Sequence, residues 1–313
     1  MRLVLKTFFL ALALTIAVHF PATSSARAAE ELLCSTFPIY LFTRSITYGS
    51  DSFNASLLVD SSKGCPHDYN PTPAELDRLS RARVLIINGL GLEGFLGQAL
   101  RVTRPDLTII DASGGREAVL ARLSDPLKPT APMVIINKET ALDLSHDHDH
   151  GHAAHNHGTA PDEPNPHLFA SPLTAAILVE NIAAGLSEID PPKAELYQKN
   201  GALLAQQLMT LTGEAVTGLR TYLGEPKVIV SHGIFDYLAQ DWGLNIVAKI
   251  EEEDGAEPSA ARLAELTRLA RQEGVKAILI DPTGNLPLAQ TLGAEVKIPV
   301  AVIDPVASGP ADA

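Results

Sequence analysis

Between Pro192 and Leu223 the chain runs for 32 residues with no internal proline. A single helix of that length would extend about 48 Å at 1.5 Å per residue. That is longer than one small α/β lobe, so the helix is predicted to run down two lobes as a rigid spine. Gly201, Gly213 and Gly218 each cost up to about 1 kcal/mol in a helix interior and mark where the spine would kink or break.

The flanks of this stretch fit two lobes. Before it, short apolar runs at Leu32–Phe37, Ala55–Asp60, Arg83–Asn88 and Leu107–Ile110 alternate with helical patterns at Ile39–Tyr48, Pro73–Ala82 and Gly94–Val102. After it, Lys227–Ser231, Asn245–Lys249, Lys276–Asp281 and Val300–Ile303 read as strands, separated by helical Asp236–Asp241 and Ser259–Gln272. Alternation of this kind predicts an α/β fold of two lobes, each a mostly parallel sheet flanked by helices. Ser171 and Pro172 have N-cap and first-turn chemistry for a helix reaching Ile189. The expected organisation is a signal peptide at 1–28, an N-terminal lobe at 29–190, a linking helix at 191–224 and a lean or truncated C-terminal lobe at 225–313.

The signal reading rests on Arg2 and Lys6, the apolar run Phe8 to Phe20, and Ala26-Arg27-Ala28 as a small-residue cleavage site. The apolar run is too short for a typical span, and no later stretch reads as one. A soluble, exported, periplasmic protein is expected. Formal net charge is −13, and removal of Arg2, Lys6 and Arg27 takes it to −16. That disfavours nucleic acid and suits a protein that attracts cations. Export permits a disulfide between Cys34 and Cys65, which is the expected state; two buried thiols, or a thiolate near His67, remain open.

Six of the ten histidines lie between residues 146 and 157, inside a loop at about 132–166 that has no periodicity. Imidazole is the commonest protein ligand for zinc, and the alternation of Asp and His suits many weak, mobile metal sites. Three further histidines stand alone. His67 lies just past the strand ending at Asp60, His232 directly follows the strand ending at Ser231, and His167 precedes the cap of the Ser171 helix. Asp304 directly follows the strand ending at Ile303, and Asp281 has the same kind of place before a proline. Open α/β sheets bind ligands outside the carboxyl ends of their strands. These side chains therefore occupy the positions where a metal site between two lobes would form.

The stretches Pro66-His67-Asp68-Tyr69-Asn70-Pro71-Thr72-Pro73, Asn88-Gly89-Leu90-Gly91-Leu92-Glu93, Pro166-His167-Leu168-Phe169-Ala170-Ser171-Pro172, Ser231-His232 with Phe235 and Tyr237, and Glu257-Pro258-Ser259 resemble one family. It is the zinc and manganese type of metal-binding solute-binding proteins of ABC importers, and the resemblance covers nearly the whole mature chain. It implies His67, His167 and His232 as ligands with Asp304 as a candidate fourth, a divalent metal as cargo, an inner-membrane ABC permease as partner, and no enzymatic activity. A His-rich acidic loop is typical of the zinc-importing members. Two departures stand out: Asn165 where the family usually has Asp, and Phe169 where Trp is common.

Three imidazoles with one carboxylate or water suit four-coordinate zinc, whereas manganese prefers more oxygen ligands. Zn²⁺ is therefore expected ahead of Mn²⁺, in a monomer. An exported zinc-dependent hydrolase would need a general acid or base beside the metal, and Asp68 is the only evident one. An adhesin or metal-storage role is a third class, with no sequence feature that encodes a partner surface. A basic patch, a phosphate-binding Gly-rich loop, a GxSxG elbow and an HExxH helix are all absent from the sequence.

Overall fold

Leu32, Leu33 and Cys34 are all buried, as expected for a strand covered on both faces. In the computed structural model they belong to β1 (Glu30–Cys34), the first element among the described residues, which are 29–61, 69–100, 103, 106–124, 135–137, 164–223, 225–251, 258–306 and 308–309. The chain continues through α1 (Phe37–Thr47), β2 (Phe53–Leu57), α2 (Pro73–Arg81), β3 (Val84–Ile87), α3 (Leu96–Ala99), β4 (Thr108–Asp111), α4 (Arg116–Ser124) and β5 (Ile135–Asn137). Two long helices follow, α5 (Pro172–Ile189) and α6 (Ala194–Leu223). Then come β6 (Lys227–Val230), α7 (Asp236–Trp242), β7 (Asn245–Lys249), α8 (Ala260–Glu273), β8 (Ala277–Ile280), α9 (Leu286–Val296) and β9 (Val300–Val302).

The strands form two sheets, ordered β2-β1-β3-β4-β5 and β7-β6-β8-β9. Every pairing is parallel except β4 with β5. The two-sheet α/β reading is what the structure has. The antiparallel edge strand β5 lies within the stretch read as a structureless loop, and its three residues are too few to carry a period. Helices α4 and α9 were not anticipated either. The start of α9 is nonetheless signalled locally, since Asn285 caps it through Leu288 N and a proline occupies its first turn.

Helix α6 is continuous for 30 residues, about 45 Å, and does not break at its glycines. Gly201 has a packing reason. A Cβ there would stand 2.5 Å from Ala183 Cβ on α5, so glycine lets the two helices approach closely. The same helix places Asn200 where its Nδ2 donates to the carbonyls of Ile46 and Tyr48, at 2.9 and 3.0 Å. Those are carbonyls at the C-terminal end of α1, which its own turns leave unpaired. Helix α5 is long and apolar enough to cross a membrane by length and composition, contrary to the sequence reading. Two thirds of it is buried inside the protein, where Leu178, Val179, Ile182 and Leu186 belong to the main core. That core contains Leu32 and Ile86 of the first sheet and Val228 and Val230 of the second, so one continuous apolar interior joins both.

The expected Cys34–Cys65 bridge is not made: Cys34 is a free thiol, and Cys65 lies outside the described residues. Alternation along β1 explains the position. Cys34 packs in the core with α1 and α5, while Leu33 points to the opposite layer, which also holds Leu58 and Val59 beyond β2. The thiol therefore faces away from the layer in which the chain leaves β2. Burial pushes its pKa up to about 12, which keeps it protonated and unreactive.

Candidate metal centre

His232 is the hub of the site. It stands one residue past β6, after Ser231, and opens the turn Gly233–Phe235, with its Nδ1 accepting from Ile234 N at 3.3 Å. Its ring centroid is 5.6 Å from that of His167, and its Nε2 is 3.3 Å from Asp281 Oδ2. All three side chains are almost fully buried. These spacings suit a metal. Two donors on a tetrahedral zinc at about 2.0–2.1 Å stand about 3.4 Å apart, and two imidazoles bound through Nε2 have centroids about 5 Å apart. Among the described residues, no three His, Cys, Asp or Glu side chains already converge as a complete metal cage. His67 and the run from His146 to His157 lie outside the described residues.

The two aspartates expected at strand ends separate clearly. Strand β8 adjoins β6, and its register pairs Val230 with Leu279. Two residues further along both strands, His232 and Asp281 come side by side. Strand β9 lies on the far side of β8, about one strand spacing of 4.8 Å further out. Asp304 is exposed and accepts from the backbone N and the Oγ of Ser308, at 3.3 and 2.6 Å. The structure places Asp281 beside His232, and Asp304, the candidate the resemblance implies, at the end of the next strand out.

Burial alone would raise the pKa of Asp281. Hydrogen bonds from His232, Thr283 and Ser231 outweigh it and hold the carboxyl well below the usual carboxylate range. Asp281 is thus an oriented anion. In this arrangement the Nε2 hydrogen of His232 points at it. A cation taking the place of that hydrogen would sit between the two groups; the neutral ring would then carry its proton on Nδ1, and the bond from Ile234 N would open.

His167 is held from both sheets. On the first, Asn88 Nδ2 at the end of β3 donates to Pro166 O at 2.9 Å. Asn88 is itself fixed by Glu93, which accepts from Asn88 N (2.7 Å), Gly89 N (3.1 Å) and Ser35 Oγ (2.6 Å). Gly89 is required in this turn because its φ is +88° and a Cβ would collide with the Asp111 carboxylate. On the second side, Ser171 Oγ donates to Asp241 Oδ2 and Tyr237 OH donates to Asn165 O at 2.9 Å. In the sequence Asn88–Glu93 stands only among the stretches that carry the family resemblance. Its supporting role could not be read without knowing that β3 ends beside Pro166.

Glu93 yields a test of this support. Burial pushes its pKa from 4.5 up to about 7, opposed by its three hydrogen bonds and assisted by the nearby Asp111, itself pushed up by burial to about 6. Between 4.5 and 7 the folded protein holds this proton more tightly than the unfolded chain. Its contribution is therefore full below 4.5 and is lost as pH rises to about 7. Melting curves of Glu93→Gln and the parent, recorded from pH 4.5 to 8, are expected to shift in favour of Gln as pH rises and to run parallel above about 7.5. A difference that does not vary with pH would contradict the assignment.

Two α/β sheets joined by a 30-residue helix, with buried His232 and Asp281 past strand ends and buried His167 ahead of α5, define a two-lobed solute-binding fold. The chain belongs to the family described as "Zinc-uptake complex component A periplasmic", whose profile matches residues 32–313. It is 28% identical over 307 residues to the zinc-binding lipoprotein AdcA of Streptococcus pneumoniae (strain ATCC BAA-255 / R6), covering 97% of this chain and 56% of that protein. It is also 28% identical over 269 residues to the high-affinity zinc uptake system protein ZnuA of Bacillus subtilis (strain 168), covering 86% of this chain and 76% of that one. Among solved structures, a crystal structure of ZnuA superposes with a TM-score of 0.68 at 25% identity, over 91% of this chain and 93% of that one. The chain thus spans about half the length of the streptococcal relatives it matches.

Proposed function

We propose that this chain is an exported, periplasmic zinc receptor that delivers Zn²⁺ to the permease of an ABC importer. The observation that carries the reading is the placement of His232 between His167 at 5.6 Å and Asp281 at 3.3 Å. Membership of the zinc-uptake family and the zinc-binding relatives support it. His67 supplies the third imidazole, which makes a three-histidine, one-carboxylate shell that suits zinc better than manganese. The protein carries the ion without chemistry upon it. The leader at 1–28 directs export, the 146–157 run gathers metal beside the cleft, and the receptor works as a monomer.

Competition for Zn²⁺ with a chromophoric chelator tests the shell. Asp281→Ala is expected to weaken zinc binding at least tenfold, about 1.4 kcal/mol, while Asp304→Ala leaves it within twofold. The reverse pattern would return the role to Asp304. No effect from either would leave the fourth position to water.

A further inference from the structure

We propose that Asn165 is a positioning residue that joins the two halves of the metal site: its side-chain carbonyl fixes His167, and its side-chain amide holds the segment that follows His232. The inference rests on the reading of His167 and His232 as ligands. Asn165 Oδ1 accepts from His167 N at 2.9 Å and lies 2.7 Å from His167 Nδ1. Asn165 Nδ2 donates to Gly233 O at 2.8 Å and to Asp236 Oδ2 at 3.0 Å. The partners dictate the orientation of the amide, since a backbone N–H requires an acceptor while a carbonyl and a carboxylate require a donor.

Two consequences follow. Because Oδ1 is an acceptor, His167 must carry its proton on Nδ1, which leaves the Nε2 lone pair for a cation. Because both amide hydrogens are spent on the second sheet's side, the loop that begins at His232 is held in register with His167. Contact there is close: a Cβ on Gly233 would stand 3.1 Å from Asn165 Nδ2. Aspartate in this position could still orient His167. It would lose both donors, however, and would set a second anion against Asp236, whose charge is otherwise met by Lys249 Nζ at 2.8 Å. The amide is thus the group this pair of lobes requires, which accounts for the departure at residue 165.

The test compares Asn165→Asp, Asn165→Leu, Asp236→Asn and the double variant Asn165→Asp/Asp236→Asn, using Zn²⁺ itself as probe. Zinc affinity and zinc release rate are measured, and the ring-nitrogen NMR shifts of His167 are recorded in metal-free protein. Asn165→Asp is expected to keep the Nδ1–H signature, lose at least tenfold in affinity and release zinc faster. Asp236→Asn alone is expected to change affinity less than threefold. In the double variant the new amide at 236 can donate to the new carboxylate at 165, and affinity is expected to return to within about threefold of the parent. Asn165→Leu is expected to lose both the affinity and the Nδ1–H signature. Parent-like binding in Asn165→Asp, or a loss that Asp236→Asn does not recover, would overturn the inference. His232→Ala separates the two claims. Parent-like zinc binding in that variant overturns the ligand reading. Collapse of binding there, with Asn165→Asp unaffected, overturns the positioning role alone.

Discussion

His232→Ala is expected to weaken zinc binding at least a hundredfold, about 2.7 kcal/mol, and to do so without unfolding the protein. The ring occupies the junction of the site, with His167 on one side and Asp281 on the other. Its removal deletes one donor and also leaves Asp281 without the partner that does most to hold its carboxyl ionised. The fold should tolerate the change, because the main-chain bond from Ser231 N to Leu279 O, at 2.9 Å, and the bond from Ser231 Oγ to Asp281, also at 2.9 Å, do not involve the imidazole. Chelator competition gives the affinity, and a thermal melt of the metal-free variant gives the stability. A loss of less than fivefold would remove His232 from the shell.

Phe235→Ala is expected to cost about 3–5 kcal/mol of folding free energy, the range for deleting a fully buried aromatic side chain. Phe235 ends the turn that starts at His232 and is fully buried in the core shared by both sheets. Its truncation opens a cavity in that core. Urea denaturation monitored by circular dichroism reads the change as a fall in midpoint at unchanged slope. The same variant should bind zinc more weakly, since the turn that aims His232 loses its anchor. A stability change below about 1 kcal/mol would mean that the ring is not packed as described.

The sequence carried the architecture because local signals and fold agreed. The apolar run of Leu85 and Ile86, the caps at Ser171 and Ser259, and the proline-free stretch before Leu223 each encode their element within a few residues. Elements without such a signal were lost: β5 has three residues, and α4 starts after paired glycines with no capping side chain of its own. The site was legible to the level of strand ends and no further. His232, Asp281 and Asp304 all follow strands, and nothing in the chain tells which strands are neighbours. Strand order decides, because β8 and not β9 adjoins β6. The same limit hid Asn165. Its neighbour His167 is two residues away in sequence, but its other partners, Gly233 and Asp236, are 68 and 71 residues away. The disulfide expectation failed for a related reason, since the face on which Cys34 lies follows from β1 packing and not from the spacing of two cysteines.

The most direct measurement is anomalous diffraction at the zinc edge from crystals of zinc-loaded protein. The account predicts one dominant peak about 2.0–2.2 Å from His167 Nε2, His232 Nε2 and Asp281 Oδ2, with His67 completing the shell. A dominant peak elsewhere, with His167 and His232 unligated, would contradict it.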